Sequence, residues 1–179
     1  MKKILLTAAL ALVLIQGTAA AAVGIGVGAF GGLSIPIVND LSEQGSTFGI
    51  RVPLNVAPMV TIEPFWASSS LGDVDEEFGG ISYTRDGGET NGFGANALFH
   101  FGGTGFSFFP FVGLGSYTIK RDGSDDITDM GLNFGLGIGV SPMPKLSLDL
   151  RGEVNSIITD QTSQKFGNVT LGASYNLFP

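Results

Sequence analysis

The alternation of apolar and polar positions is plainest at the end of the chain. Val169, Leu171, Ala173, Tyr175 and Leu177 are apolar, and Asn168, Thr170, Gly172, Ser174 and Asn176 between them are polar or lack a side chain. A period of two predicts a strand with one face in an apolar medium and the other in a polar one. The same pattern recurs upstream. Over 23–38, Val23, Ile25, Val27, Ala29, Leu33, Ile35 and Ile37 oppose Gly24, Gly26, Gly28, Gly32 and Ser34, with a bend expected at Gly31-Gly32. Phe48, Ile50, Val52, Leu54 and Val56 alternate with Gly49, Arg51, Pro53 and Asn55. After a tight reversal at Ala57-Pro58, Val60, Ile62, Pro64 and Trp66 alternate with Thr61, Glu63 and Phe65. Pro53 and Pro64 bring no N–H to a ladder and are expected to weaken these two strand interiors.

A fourth strand sets Phe93, Ala95, Ala97, Phe99 and Phe101 on one face. In the fifth, 106–119, the parity stays open: Phe109 and Phe111 compete with Val112 and Leu114, and a bulge would reconcile them. The sixth is the clearest, with Leu132, Phe134, Leu136, Ile138 and Val140 against Gly131, Asn133, Gly135, Gly137 and Gly139. In the seventh, Leu146, Leu148, Leu150 and Val154 oppose Ser147, Asp149, Arg151 and Glu153. The closing strand makes eight, and no segment carries a helical period.

Connections alternate in length. Those at 39–46, 68–89, 120–126 and 156–164 are long, and those at 57–58, 102–105 and 141–144 are short. Within 68–89, Ile81-Ser82-Tyr83-Thr84 is expected to extend a hairpin beyond the bilayer. Long loops at one end, with tight turns and both termini at the other, predict an all-β fold: an eight-stranded antiparallel up-and-down transmembrane β-barrel. Aromatic girdles are then expected where rings sit at headgroup level. Phe99, Phe101, Phe108, Phe109, Tyr175 and Phe178 would form one, and Phe48, Trp66, Phe93, Tyr117 and Phe166 the other. The competing reading is a soluble periplasmic β-barrel that binds a small apolar ligand. The two predict opposite directions for the apolar side chains: outward into lipid, or inward into a core.

Composition narrows the choice. Met1-Lys2-Lys3, an apolar run from Ile4 to Ile15, and small residues from Gly17 to Ala22 have the layout of a secretory signal peptide, too short to span a bilayer. Cleavage after about residue 20–22 would leave 23–179 as one outer-membrane barrel domain. That mature chain carries seven basic residues against sixteen acids, a charge of −9, which disfavours nucleic acid and anionic lipid as partners. The chain has no cysteine, which excludes disulfides, a redox role and a thiolate metal site. Its hydrophobicity is spread through short segments, as membrane strands require.

Three pieces carry a family likeness: Pro110-Phe111-Val112-Gly113-Leu114-Gly115, Gly131-Leu132-Asn133-Phe134-Gly135-Leu136-Gly137, and Pro144-Lys145-Leu146-Ser147-Leu148-Asp149-Leu150-Arg151. With them the chain resembles the small eight-stranded outer-membrane barrels of the OmpA/OmpX type, without their peptidoglycan-binding domain. The last strand resembles their C-terminal sorting signal, with Thr170, Gly172, Tyr175 and Leu177 in its places and Phe178 near its end. The resemblance implies an integral protein of the bacterial outer membrane, porin-like in architecture. Its role would be structural or surface-interacting, with at most a narrow pore. It also implies that the barrel-assembly machinery reads this strand during insertion. One departure is that Pro179 follows Phe178, whereas such chains usually end on the aromatic residue.

If the apolar parity faces lipid, Arg51, Glu63, Asp149, Arg151 and Glu153 face the lumen. The interior of an eight-stranded barrel is about wide enough for side chains to fill it. Buried charges there must pair. The expected outcome is an ionic network fixing the barrel, and the functional variant is a salt-bridge gate over a narrow pore, as OmpA-type barrels are proposed to have. Asp73, Asp75, Glu76 and Glu77 in one loop, and Asp122, Asp125, Asp126 and Asp129 in or beside another, offer oxygen ligands for Ca²⁺ or Mg²⁺. Their spacing fits no EF-hand, and solvated loops are the plainer reading. The only histidine, His100, stands between Phe99 and Phe101 at the short-turn end, without a nearby serine. It is expected to fill the lumen rather than catalyse, so no enzyme activity, cofactor or metal is expected. The partners expected are outer-membrane lipid, the assembly machinery and a surface ligand at loop 68–89, around a monomeric barrel with both termini periplasmic.

Overall fold

The computed structural model describes residues 24–37, 43–78, 81–85, 87–103, 105–120, 125–158 and 164–178. The expected leader and its cleavage site lie outside them. Twelve strands are described: β1 (Gly24–Pro36), β2 (Gly45–Arg51), β3 (Leu54–Ala57), β4 (Val60–Ser70), β5 (Val74–Phe78), β6 (Ile81–Arg85), β7 (Glu89–Phe99), β8 (Phe101–Gly103), β9 (Phe106–Lys120), β10 (Ile127–Met143), β11 (Leu146–Ile157) and β12 (Gln164–Phe178). Two pairs of them are single staves with a gap. β2 and β3 are separated at Val52-Pro53, and both pair β1 and β4. β7 and β8 are separated at His100, and both pair β9. Each stave is antiparallel to the next, and β1 pairs β12 from Ile25↔Phe178 to Pro36↔Phe166, which closes an eight-stave barrel. β5 and β6 form a separate two-stranded hairpin within the long connection between β4 and β7.

The apolar face points outward on every stave. Leu171 is 68% exposed, Phe93 65% and Leu136 56%, and the rest of the alternating Leu, Val, Ile and Phe set follows. The buried positions are largely polar: Ser34, Thr47, Thr61, Asn96, Asn133, Asn155, Asn168, Thr170 and Ser174. A soluble barrel with a core binding an apolar ligand would be built the other way round, so that reading is excluded.

The prolines explain the gap in the second stave. Val52 N–H donates to the Pro64 carbonyl at 2.9 Å, and Gly26 N–H donates to the Pro53 carbonyl at 2.9 Å. Each proline keeps its acceptor and removes the reciprocal donor. The register is unbroken across the gap, because Arg51↔Phe65 and Leu54↔Ile62 belong to one alignment. The bend expected at Gly31-Gly32 is absent. Pairing there is regular, and the irregularity lies between Ile25 and Gly26.

The fifth stave has no bulge. β9 runs in one register from Phe106↔Val140 to Ile119↔Ile127. Its odd positions face inward, so Phe109, Phe111, Tyr117 and Ile119 are buried and Val112 and Leu114 meet the surroundings. This corrects the girdles. Phe109 and Tyr117 are lumen residues by parity, as is Phe166 on β12. Phe99, Phe101, Phe108, Tyr175 and Phe178 remain outside near the short turns, and Phe48, Trp66 and Phe93 near the other end. Phe48 and Trp66 meet edge to face with centroids 5.9 Å apart.

Candidate functional site: the lumen

Inward aromatics on β9 need room in a narrow tube, and glycines on the neighbouring staves supply it. A Cβ at Gly137 would strike the Phe109 ring, one at Gly135 the Phe111 ring, and one at Gly92 or Gly131 the Tyr117 ring. The glycines on the inward parity of these staves make room for the rings.

Phe109 and Phe111 in turn flank the guanidinium of Arg151, whose Cζ lies 5.1 Å and 5.6 Å from their centroids. The Arg51 Cζ lies 5.8 Å from the Phe30 ring, another inward aromatic that the alternation did not single out. Such placements favour a cation through the ring quadrupole.

The two arginines share two carboxylates. Arg151 Nη1 donates to Glu63 Oε1 at 2.6 Å and Nη2 to Oε2 at 3.0 Å, a bidentate pair spanning the lumen from β11 to β4. Arg151 Nε donates to Asp149 Oδ1 at 2.8 Å. Arg51 donates to both oxygens of Asp149 and, through Nε, to the Ser174 hydroxyl at 3.1 Å. Its Nε also lies 3.8 Å from Glu63 Oε2. Arg51 and Glu63 are each 2% exposed and Arg151 is buried too, while Asp149 is part-buried. Gly172 makes this possible: a Cβ there would collide with the Arg51 guanidinium.

The fifth ionic residue stands apart. Glu153 Oε1 accepts from Asn155 Nδ2 at 2.7 Å and from Asn168 Nδ2 at 3.5 Å, and neither arginine reaches it within ion-pair distance. Of the terminal-strand residues, Thr170 faces inward, and Tyr175, Leu177 and Phe178 face outward. Among the described residues no group of three or more His, Cys, Asp or Glu is placed to hold a metal. Asp122 of the acidic loops lies outside them.

The quartet divides the interior. On the short-turn side is a polar cavity of about 180 Å³, bordered by Asn55, Thr61, His100, Ser107, Asp149 and Asn176 among others. The His100 ring lies 5.1 Å from that of Phe109. On the other side is a cavity of about 20 Å³ bordered by Glu153, Asn168, Thr170 and Asn96 as well as the arginines. Beyond it Asn133 Nδ2 donates to Asn96 Oδ1, Tyr117 O–H donates to Asn155 Oδ1 at 3.0 Å, and Tyr117, Ile119, Ile157 and Phe166 form an apolar cluster toward the long loops.

An apolar exterior around a closed ladder, with charges paired inside, defines an integral membrane β-barrel. The profile of the family described as "Outer membrane protein beta-barrel domain" matches residues 5–176, and the chain belongs to that family. Solved structures share the fold. Neisserial surface protein A is 16% identical, with a TM-score of 0.67 over 89% of this chain and 100% of its own. The N-terminal β-barrel domain of Pseudomonas aeruginosa OprF is 14% identical, with 0.59 over 86% and 97%. The attachment invasion locus protein Ail of Yersinia pestis is 16% identical, with 0.52 over 89% and 100%. No curated protein matches the sequence. The protein is thus an integral β-barrel of the outer membrane.

Proposed function

We propose that this is a monomeric, non-catalytic and essentially non-conducting barrel that works at its long-loop end, with both termini in the periplasm and the leader removed after about residue 20–22. The observation that carries this reading is the quartet of Arg51, Glu63, Asp149 and Arg151, which fills the lumen at mid-height. With the interior committed to its own pairing, interactions fall to the outer rim. Of the sixteen acids, thirteen lie on the long loops or the strand ends beside them, against four basic residues there. The β5–β6 hairpin extends the rim at 68–89. Ail has been crystallised with the heparin analogue sucrose octasulfate; the acidic rim here fits a cationic or neutral surface ligand instead. The terminal strand, with Thr170, Gly172, Tyr175, Leu177 and Phe178, would be read by the assembly machinery.

Planar-bilayer recording tests the lumen. The purified barrel is expected to give no steady single-channel conductance. Well-resolved openings would favour the second reading, a salt-bridge gate, which the cavities on both sides of the quartet support.

A further inference from the structure

The cavity of about 180 Å³ on the short-turn side is a blind pocket. The quartet closes its inner end, and the apolar cluster of Tyr117, Ile119, Ile157 and Phe166 narrows the lumen beyond. Its mouth lies by the short turns, where the Ser141 and Ser147 hydroxyls meet at 3.3 Å.

The walls of the pocket differ in character. Leu98 on β7 and Phe109 on β9, each 2% exposed, give it an apolar side. Across the barrel from them, Ser174 and Asn176 on β12 give it a polar one. Asn55 and Thr61, joined by a 2.8 Å hydrogen bond, extend the polar side. The Asn176 amide, the Ser107 hydroxyl and the His100 ring make no hydrogen bond to another described residue, which leaves them free for a guest. The floor carries no surplus charge, because Arg51 and Arg151 face Glu63 and Asp149. His100 is the one other lining side chain that can ionise.

We propose that this pocket binds a small neutral polyol. Its C–H face would lie against Leu98 and Phe109, and its hydroxyls would exchange hydrogen bonds with Asn176, Ser107 and the Asp149 carboxylate. Ligand sites combine apolar lining with a few convergent polar groups in this way. A cavity of about 150 Å³ holds a benzene ring, so a polyol of about four or five carbons suits this one. A charged guest would bring a charge that the balanced floor does not offset. In the orientation proposed above the guest arrives from the periplasm, but binding itself depends neither on that orientation nor on the role of the long loops.

Saturation-transfer NMR on the full-length barrel tests this. The detergent is dodecylphosphocholine, which carries no sugar, and the pH is about 8, where a histidine is neutral. Erythritol is the probe, with trehalose, erythronate and ethanolamine for comparison. Transfer to erythritol is expected, with a dissociation constant on the order of millimolar for so few atoms. Ribitol is expected to displace it. Trehalose, a disaccharide too large for the pocket, is expected neither to receive transfer nor to displace erythritol. Asn176→Leu removes an amide outside the quartet and should weaken erythritol binding about fivefold or more. Should that variant fail to fold, displacement by ribitol and not by trehalose, on the unaltered protein, decides the matter. Transfer to erythritol no greater than to trehalose, or unchanged in folded Asn176→Leu, overturns the proposal. So does tighter binding of erythronate or ethanolamine, which marks a site for a charged guest.

Discussion

At the scale of single residues, the quartet behaves as a unit because each carboxylate serves both arginines. Arg151→Ala would leave Glu63 and Asp149 short of donors, and removing one partner of a buried ion pair costs about 3–5 kcal/mol. The midpoint of the boiled and unboiled gel transition should fall accordingly. Replacing the pair, Glu63→Met with Arg151→Met, should cost clearly less, because Arg51 and Asp149 still satisfy one another. Equal losses in the single and double variants would argue against a coupled network. Gly172→Val supplies a separate check. Its Cβ would displace the Arg51 guanidinium, so urea unfolding in lipid vesicles should show a loss of about 1–3 kcal/mol, as for overpacking. The charged members of this site were legible in the sequence because parity alone assigns Arg51, Glu63, Asp149, Arg151 and Glu153 to one face. Their pairing was not, since which strands confront each other depends on how the barrel closes. Phe30 also escaped, because an aromatic on the polar parity reads as noise until its guanidinium neighbour is known.

At the scale of strands, alternation was enough to place all eight staves, since a slip of one residue would turn every leucine of a stave into the lumen. What it missed was the inward side of β9. The signal was nevertheless there: Gly113 and Gly115 continue the parity of Phe109 and Phe111, and glycine lies on the inner face on β1 and β10 as well. Hydrophobicity misled because these rings are stacked on a guanidinium and on glycine backbone, where an apolar group is at home inside a polar tube. Two outcomes follow at this scale. Leu136→Arg, at mid-height on the outer face of β10, should destabilise the barrel in vesicles by about 2–4 kcal/mol, and the same change near a rim by much less. Gly137→Val should be harmful through Phe109, and Phe109→Leu added to it should restore part of the loss; no restoration would mean that the ring and the glycine are not coupled.

For the whole molecule, the asymmetry between the two ends is the decisive property. Protease added to intact cells should cut within the long connections, above all 68–89, and leave the short turns at 57–58, 102–105 and 141–144 whole until the membrane is permeabilised. The opposite pattern would invert the proposed orientation. The second stave differs from the other seven. Pro53 withholds a donor from the ladder with β1, and Pro64 withholds one from the ladder with β4 at nearly the same height. That stave is therefore held less firmly on both sides at once. A barrel drawn out of a membrane by its first residues would be expected to yield there in an early, separate step. The two prolines would then act as a mechanical fuse, confining the first rupture under load to one hairpin while the remaining staves stay seated.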